Sequence, residues 1–179
     1  NVNDKRNTPV ALSAGQTLGQ SFNADEPFSS VGGNLPTWAA THSAVTVSLR
    51  RNGPNGERLG SQRFVNLRDN AWVSLQFNNP LPAGEYYLEL SAPEGRVGWW
   101  SHTDDVYPRG QAFSNGIPVA GDRTLQIKLT DEQVDRLVKF FTFRKPQPDY
   151  FVGPRGPGEW GWLEVYPQHA FYRTPGVPE

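Results

Sequence analysis

The strongest candidates for a ligand-binding site in this sequence are three aromatic residues: the adjacent Trp99 and Trp100, and Tyr107. Successive side chains of a β-strand face opposite sides, so one tryptophan must face the core and the other the outer face or an adjoining loop. An outward indole suits a sugar, because the C–H face of a pyranose packs on the π-face and excludes water. The polar residues that follow could hydrogen-bond the sugar hydroxyls, namely His102, Asp104, Asp105 and Arg109.

The same aromatic residues also have a purely structural interpretation. Tryptophan is highly buried on average, which favours a second ring that is covered by residues 102–123 or by the C-terminal residues. The same argument predicts that Trp38 and Trp72 belong to the core. The directions in which the indoles point therefore decide between a sugar site and simple packing.

Three aspartates, Asp104, Asp105 and Asp122, could bind a structural Ca²⁺ ion together with loop carbonyls, because calcium prefers hard oxygen ligands. Their spacing is not that of an EF-hand. The favoured alternative is that they cap loop backbone or form salt bridges to Arg109 or Arg123. The expectation for cofactors is accordingly none, with structural calcium as the open alternative.

No catalytic motif is complete in this sequence, which has no G-x-S-x-G elbow, no H-E-x-x-H pair, no phosphate loop and no dinucleotide fingerprint. Glu159 and Glu164 lie in a tryptophan-rich segment, as do the paired carboxylates of some glycosidases. Strand residues five positions apart face opposite sides, however, so the two would not flank one glycosidic bond. Structural roles are favoured for both, and no catalytic residue is assigned.

Composition excludes several classes of function. The chain has 179 residues with 17 Lys and Arg against 18 Asp and Glu, and this near-balance argues against a nucleic-acid binder. Apolar runs are too short for a transmembrane span. There is no cysteine, hence no disulfide framework and no thiol nucleophile. Methionine is also absent, so Asn1 is expected to follow a processing site, such as a removed signal peptide, or to be the boundary of an expressed fragment.

Alternating hydrophobic residues and frequent turn signals predict an all-β fold. Gly (18) and Pro (16) are enriched, as in proteins with many turns. About eight short strands at sandwich-like spacing are expected, at 17–22, 28–35, 44–51, 58–67, 71–77, 85–91, 96–101 and 124–129. Residues 1–15 and 102–123 are predicted to be irregular.

The pattern changes after residue 129. Thr130 and Gln133 form a capping box, and apolar residues at helical spacing predict a short amphipathic helix over 131–141. Four prolines then interrupt regular structure until a last strand, which begins near Trp160 and ends before Pro167. The expected organisation is a β-sandwich at 1–129, a helical linker at 130–144 and a tail at 145–179 that is the start of a truncated second domain.

Residues 19–129 resemble the β-sandwich accessory modules of secreted bacterial glycan-degrading enzymes. The segments that carry the resemblance are GQSF (19–22), FSSVGGNLPTW (28–38), VTVSLRR (45–51), DNAW (69–72), LPAGEYYLELS (81–91), GWWSHTDDVYPRGQAFSNG (98–116) and GDRTLQIKL (121–129). The most specific part is the tryptophan-bearing strand, the D-x-Y-P-x-G-x-A-x-x-N-G pattern and the final aspartate-led strand. The resemblance implies a jelly-roll-like antiparallel sandwich that is secreted and non-catalytic, and that binds carbohydrate or supports a catalytic domain.

The tail from Gly153 to Glu179 is similar to the opening of a larger catalytic domain in proteins that resemble glycoside hydrolases. This similarity implies that a catalytic domain or segment of the same protein follows the sandwich. It leaves two alternatives to a carbohydrate-binding module. One is an N-terminal hydrolase fragment whose tail contributes to an active site, and the other is a structural or protein-interaction module without a sugar site.

Overall fold

A computed structural model describes residues 8–130 and two short strands at 162–165 and 170–173. The chain divides into two compact units, Asn1–Leu129 and Thr130–Glu179. The described part of the first unit contains twelve strands and no helix. In chain order they are β1 (Thr8–Ala11), β2 (Leu18–Ala24), β3 (Phe28–Leu35), β4 (Ala44–Arg51), β5 (Arg58–Phe64), β6 (Ala71–Leu81), β7 (Gly84–Glu94), β8 (Gly98–His102), β9 (Gln111–Ser114), β10 (Ile117–Val119), β11 (Asp122–Arg123) and β12 (Gln126–Leu129).

The first unit is built from antiparallel sheets. A six-stranded sheet has the order β10-β9-β2-β7-β4-β5, and two three-stranded sheets have the orders β1-β8-β11 and β12-β3-β6. Only Thr124 and Leu125 separate β11 from β12, and the Thr124 amide donates to the Trp100 carbonyl at 2.8 Å. One stretch of chain therefore pairs first with β8 and then with β3, and links the two smaller sheets.

The core lies between the six-stranded sheet and the two smaller sheets. Strand β4 contributes Val45, Val47 and Leu49 to the buried cluster, as its alternation predicts. Strands of the smaller sheets contribute alternate residues to the same cluster, among them Val31, Leu35, Val73, Leu75 and Trp99. Burying each such side chain contributes about 1.5–3 kcal/mol. The packing of two apolar sheet faces confirms the predicted all-β antiparallel sandwich.

Three aromatic rings form the centre of this core. Phe22 stacks on Tyr86 at a centroid distance of 5.6 Å, and Phe28 meets the edge or face of both rings at 5.9 and 5.0 Å. The Tyr86 hydroxyl donates to the Pro82 carbonyl at 2.6 Å, so the buried ring keeps its polar end satisfied.

The predicted irregular segments contain short strands that the sequence analysis missed. Residues 102–123 include the hairpin of β9 and β10, which turns at Asn115 and Gly116 with positive φ angles of 53° and 73°. Asn-Gly at two such positions is the sequence signal of a type I′ hairpin. Strand β1 lies within the predicted irregular stretch 1–15, where pairing with β8 orders four residues.

In the second unit the structure describes one hairpin. Strand β13 (Trp162–Val165) pairs antiparallel with β14 (Ala170–Arg173), which confirms a strand before Pro167. The predicted helix at 131–141, and with it most of the predicted linker and tail, lies outside the described residues. No helix long and apolar enough to cross a membrane is found in the part of the chain that the structure describes.

Candidate functional site

Trp99 is the inward member of the tryptophan pair. Its side chain is 0% exposed, and its Nε1–H donates to the Thr124 carbonyl at 2.8 Å. The indole lies over β3, because a Cβ added at Gly33 would come within 2.3 Å of Nε1. The ring has no face open to solvent, so Trp99 cannot belong to a surface sugar site, although the sequence analysis included it in one.

Trp100 is the outward member, as strand alternation requires. It is half-buried, and its Nε1–H donates to the Asn70 Oδ1 atom at 2.6 Å. Its backbone lies opposite Pro9 of β1. The hydrogen bond to Asn70 connects β8 with the turn before β6, which no sequence spacing could have indicated.

Trp38 lies on the same outer face, although the sequence predicts a core position for it. Its ring is partly exposed and packs against β8, since a Cβ added at Gly98 would lie 2.8 Å from the Trp38 Cη2 atom. Gly98 precedes Trp100 by two residues, and alternate strand residues share a face. Trp38 and Trp100 are therefore neighbours on one surface.

Asp69 fixes the backbone that carries Trp38. Its Oδ1 atom accepts the Thr37 amide at 2.6 Å and the Trp38 amide at 2.9 Å. These hydrogen bonds, chiefly that from Thr37, hold the pKa of Asp69 below the ordinary value of a carboxyl group, so the side chain is ionised at neutral pH. They also hold Trp38 at a φ of 52°, a left-handed conformation that is unusual for a bulky residue.

Trp72 is the third outward indole, and its predicted core position is wrong. Val73 and Leu75 of β6 face the core, so Trp72 belongs to the opposite face and is 40% exposed. It lies opposite Asn34 of β3. The buried Asn34 side chain donates through Nδ2 to the Asn70 carbonyl at 2.8 Å, which fixes the start of β6. Trp72 shares its face of β6 with Ser74 and Gln76, and these two polar neighbours were the sequence signal for exposure.

These three indoles form the candidate site, which we term the tryptophan patch: Trp38, Trp72 and Trp100 around Asn70. Asn70 has a left-handed φ of 59°, and its Nδ2 donates to the Asp69 Oδ2 atom at 3.2 Å. Both polar atoms of the Asn70 side chain are thus hydrogen-bonded, the nitrogen to Asp69 and the oxygen to Trp100. The patch combines fixed aromatic surface with oriented polar groups. These residue types suit the binding of a ligand rather than the cleavage of a bond.

Two other predicted site residues make their contacts at the end of β2. The Tyr107 hydroxyl donates to the Asn23 carbonyl at 3.0 Å, and its ring packs partly into the core. Arg109 forms a bidentate pair with Asp25, with both N···O distances 2.6 Å, on the exposed surface. The pair lowers the pKa of the Asp25 carboxyl through hydrogen bonding. The predicted salt-bridge alternative for Arg109 is therefore realised with a different aspartate.

His102 is buried, whereas Asp104 and Asp105 are exposed. Burial removes His102 from the surface around Trp100. No hydrogen-bond partner reaches its Nε2 atom within the described part of the chain. Burial therefore excludes the His102 side chain from direct contact with a surface ligand.

The three candidate calcium ligands do not assemble. Among residues 8–130 no three His, Asp or Glu side chains are grouped as a metal site. Asp122 is 1% exposed, and its oxygens accept hydrogen bonds from the Gln20 Nε2 atom at 3.0 Å and from the Val106 and Tyr107 amides at 2.8 Å. Asp122 thus anchors the loop, which is the capping role that the sequence left as the alternative.

Arg123, which follows Asp122, is a buried cation. Its amide donates to the Gln20 Oε1 atom at 2.7 Å, and its guanidinium donates to the Ser101 Oγ atom at 2.9 Å. Burial lowers the pKa of Arg123 to about 10, so the group still carries its proton at neutral pH. The residue is tied into the interior and does not form a salt bridge with the exposed aspartates.

Comparison with known proteins adds no identification. Neither a protein family, nor a curated protein, nor a solved structure matches this chain. The resemblance to accessory modules of glycan-degrading enzymes therefore stays a prediction from sequence.

Proposed function

We propose that the sandwich is a non-catalytic carbohydrate-binding module and that the tryptophan patch is its sugar site. The observation that carries this proposal is that three partly exposed indoles, from the β3–β4 connection, β6 and β8, are positioned by or next to the Asp69-Asn70 turn. The Trp100 indole donates to the Asn70 side chain, the Trp38 amide donates to Asp69, and Trp72 follows Asn70 by two residues. Sugars need both features, because their C–H faces pack on aromatic rings while their hydroxyls need hydrogen-bond partners.

The energetics of exposure support a binding role. Tryptophan is enriched at positions that contribute most to recognition, since its large rigid ring buries much area at low cost in conformational entropy. Leaving Trp72 40% exposed forgoes part of the stabilisation that burial would give. Clustered exposed apolar surface on a folded domain marks interaction sites.

The patch is also preorganised. Asp69 holds the Trp38 backbone, Asn70 holds the Trp100 indole, and Asn34 holds the Asn70 backbone. A ligand would therefore not bear the entropic cost of ordering these side chains.

The module belongs to a secreted bacterial glycan-active enzyme, its connections are jelly-roll-like, and a catalytic domain follows it. Glu159 and Glu164 belong to that second part and are assigned no role in sugar binding here. In this arrangement the sandwich holds the enzyme on its substrate, and the raised local concentration increases turnover of insoluble or polymeric glycan.

The Trp100→Ala variant tests the proposal. Binding of the 179-residue chain is measured by isothermal titration against soluble xylan, galactan, arabinan, dextran and polygalacturonate. Loss of an indole from the centre of the patch is expected to weaken the tightest of these interactions about tenfold or more. Trp72→Ala is expected to act in the same direction.

The matched control is Ile117→Ala, which removes another exposed apolar side chain, 66% exposed, from β10 of the six-stranded sheet. This variant should bind as the unmodified chain does. The proposal fails if no polysaccharide of the panel binds, or if the Trp100 and Ile117 variants behave alike. A protein that binds the patch while no glycan does would establish the interaction-module alternative.

A further inference from the structure

One cation lies directly on the tryptophan patch. The Arg96 Cζ atom lies 4.5 Å from the centroid of the Trp38 ring, within the range of a cation–π contact. Arg96 lies in the turn between β7 and β8, and its carbonyl accepts the Ser43 hydroxyl at 2.8 Å. Since Ser43 is 0% exposed, the backbone under Arg96 is anchored in the interior.

This stacking divides the patch into two parts. Arg96 covers one face of Trp38, so that indole acts as a support for the guanidinium rather than as a stacking surface for a sugar. Trp72 is 40% exposed and Trp100 is half-buried. The patch therefore presents aromatic surface next to a fixed positive charge.

Among residues 8–130, no carboxylate forms an ion pair with Arg96. The ion pairs of the described residues use Arg50, Arg63 and Arg109. The ionised Asp69 carboxylate accepts hydrogen bonds from the Thr37 and Trp38 amides and from Asn70, and it forms no ion pair with Arg96. A guanidinium stacked on a ring keeps its N–H groups directed outward in its own plane, where they match a carboxylate or sulfate in bidentate geometry.

We propose that the glycan bound by the tryptophan patch is acidic, and that Arg96 selects it by pairing with a uronate carboxylate or a sulfate group. This inference rests on the proposed carbohydrate-binding function and adds the charge of the ligand. The neutral faces of the sugar rings contact Trp72 and Trp100, and the anionic substituent contacts Arg96.

The experiment compares polymers that differ only in charge. Polygalacturonate is titrated against its fully methyl-esterified form, and dextran sulfate against dextran, with the 179-residue chain at fixed ionic strength. The acidic member of at least one pair is expected to bind about tenfold more tightly, as a charge-assisted hydrogen bond predicts. The pair that shows the difference identifies the carboxylate or the sulfate as the anion.

Arg96→Gln is expected to remove that difference by weakening binding of the acidic polymer about tenfold. Arg58→Gln is the matched control, because it removes the same charge from an exposed position on β5. It should preserve the discrimination. Trp100→Ala should weaken binding of the acidic polymer and of any neutral polymer that binds.

Three results would overturn the inference. One is equal binding of the members of both pairs. Another is a preference for acidic polymers that persists in Arg96→Gln, and a third is a preference that Arg58→Gln removes equally, since this indicates attraction to net charge alone. If neutral glycans bind and Trp100→Ala abolishes that binding, the carbohydrate-binding function stands while the assignment of an acidic ligand fails. If no polymer binds, both fail.

Discussion

Replacing Trp99 with alanine is expected to lower the free energy of unfolding by about 3–5 kcal/mol, the usual cost of removing a large buried aromatic side chain. The indole is 0% exposed and lies over Gly33, where the neighbouring backbone cannot fill the cavity without moving. The Thr124 carbonyl would also lose its donor. Stabilities of domains are about 5–15 kcal/mol, so the loss is a large fraction of the total. Urea denaturation followed by far-ultraviolet circular dichroism measures it.

Two companion variants separate the contributions. Trp99→Phe keeps most of the volume but removes the hydrogen bond to Thr124, and should cost about 1–3 kcal/mol. Trp100→Ala removes a half-buried indole and should cost less than Trp99→Ala. If Trp99→Ala were no more destabilising than Trp100→Ala, the inward and outward assignments of the pair would be contradicted.

The second large loss of stability is expected when Asp122 is replaced. Its side chain accepts hydrogen bonds from the buried Gln20 amide and from the backbone of Val106 and Tyr107. Asp122→Ala would leave these donors without an acceptor, at a cost of about 3–5 kcal/mol by analogy with loss of one partner from a buried pair. Asp122→Asn keeps the shape and one acceptor oxygen, and should cost less.

The same residue distinguishes a loop anchor from a calcium ligand. Because its oxygens already accept three hydrogen bonds, we expect the melting temperature of the unmodified chain to be the same in EDTA and in millimolar calcium. Differential scanning calorimetry in the two buffers checks this. Calcium-dependent stabilisation that disappears in both Asp122→Asn and Asp104→Asn would instead establish the metal site that the sequence left open.

The sheet architecture was predictable because it depends on local alternation. Strands β3 and β4 have the predicted bounds. In β4 apolar residues alternate with polar ones and a turn sequence follows the strand, whereas in β3 the paired glycines marked a strand with close backbone approach. Strands β1 and β11 were not predictable, because their two to four residues are ordered by pairing with β8 rather than by their own pattern. Asn115-Gly116 was a recognisable hairpin signal within a segment taken as irregular.

The site was predictable only in part. Alternation correctly required one outward indole at 99–100, and the same rule applied to β6 would have placed Trp72 outside. Trp38 was beyond sequence reasoning, since its position depends on the hydrogen bonds that the Thr37 and Trp38 amides donate to Asp69, a residue distant in the chain. Proximity in sequence suggested His102 and Tyr107 as partners of Trp100, whereas folding brings Asn70 to that ring.

The most direct test of the account is a two-dimensional ¹H–¹⁵N spectrum of the indole Nε1–H groups, recorded while the tightest-binding oligosaccharide is added. The six tryptophan signals are assigned by single Trp→Phe substitutions. We predict that the Trp100, Trp72 and Trp38 signals shift in a saturable manner and that the buried Trp99 signal stays in place. Saturable binding that leaves the Trp100 and Trp72 signals unchanged would contradict the assignment of the tryptophan patch as the sugar site.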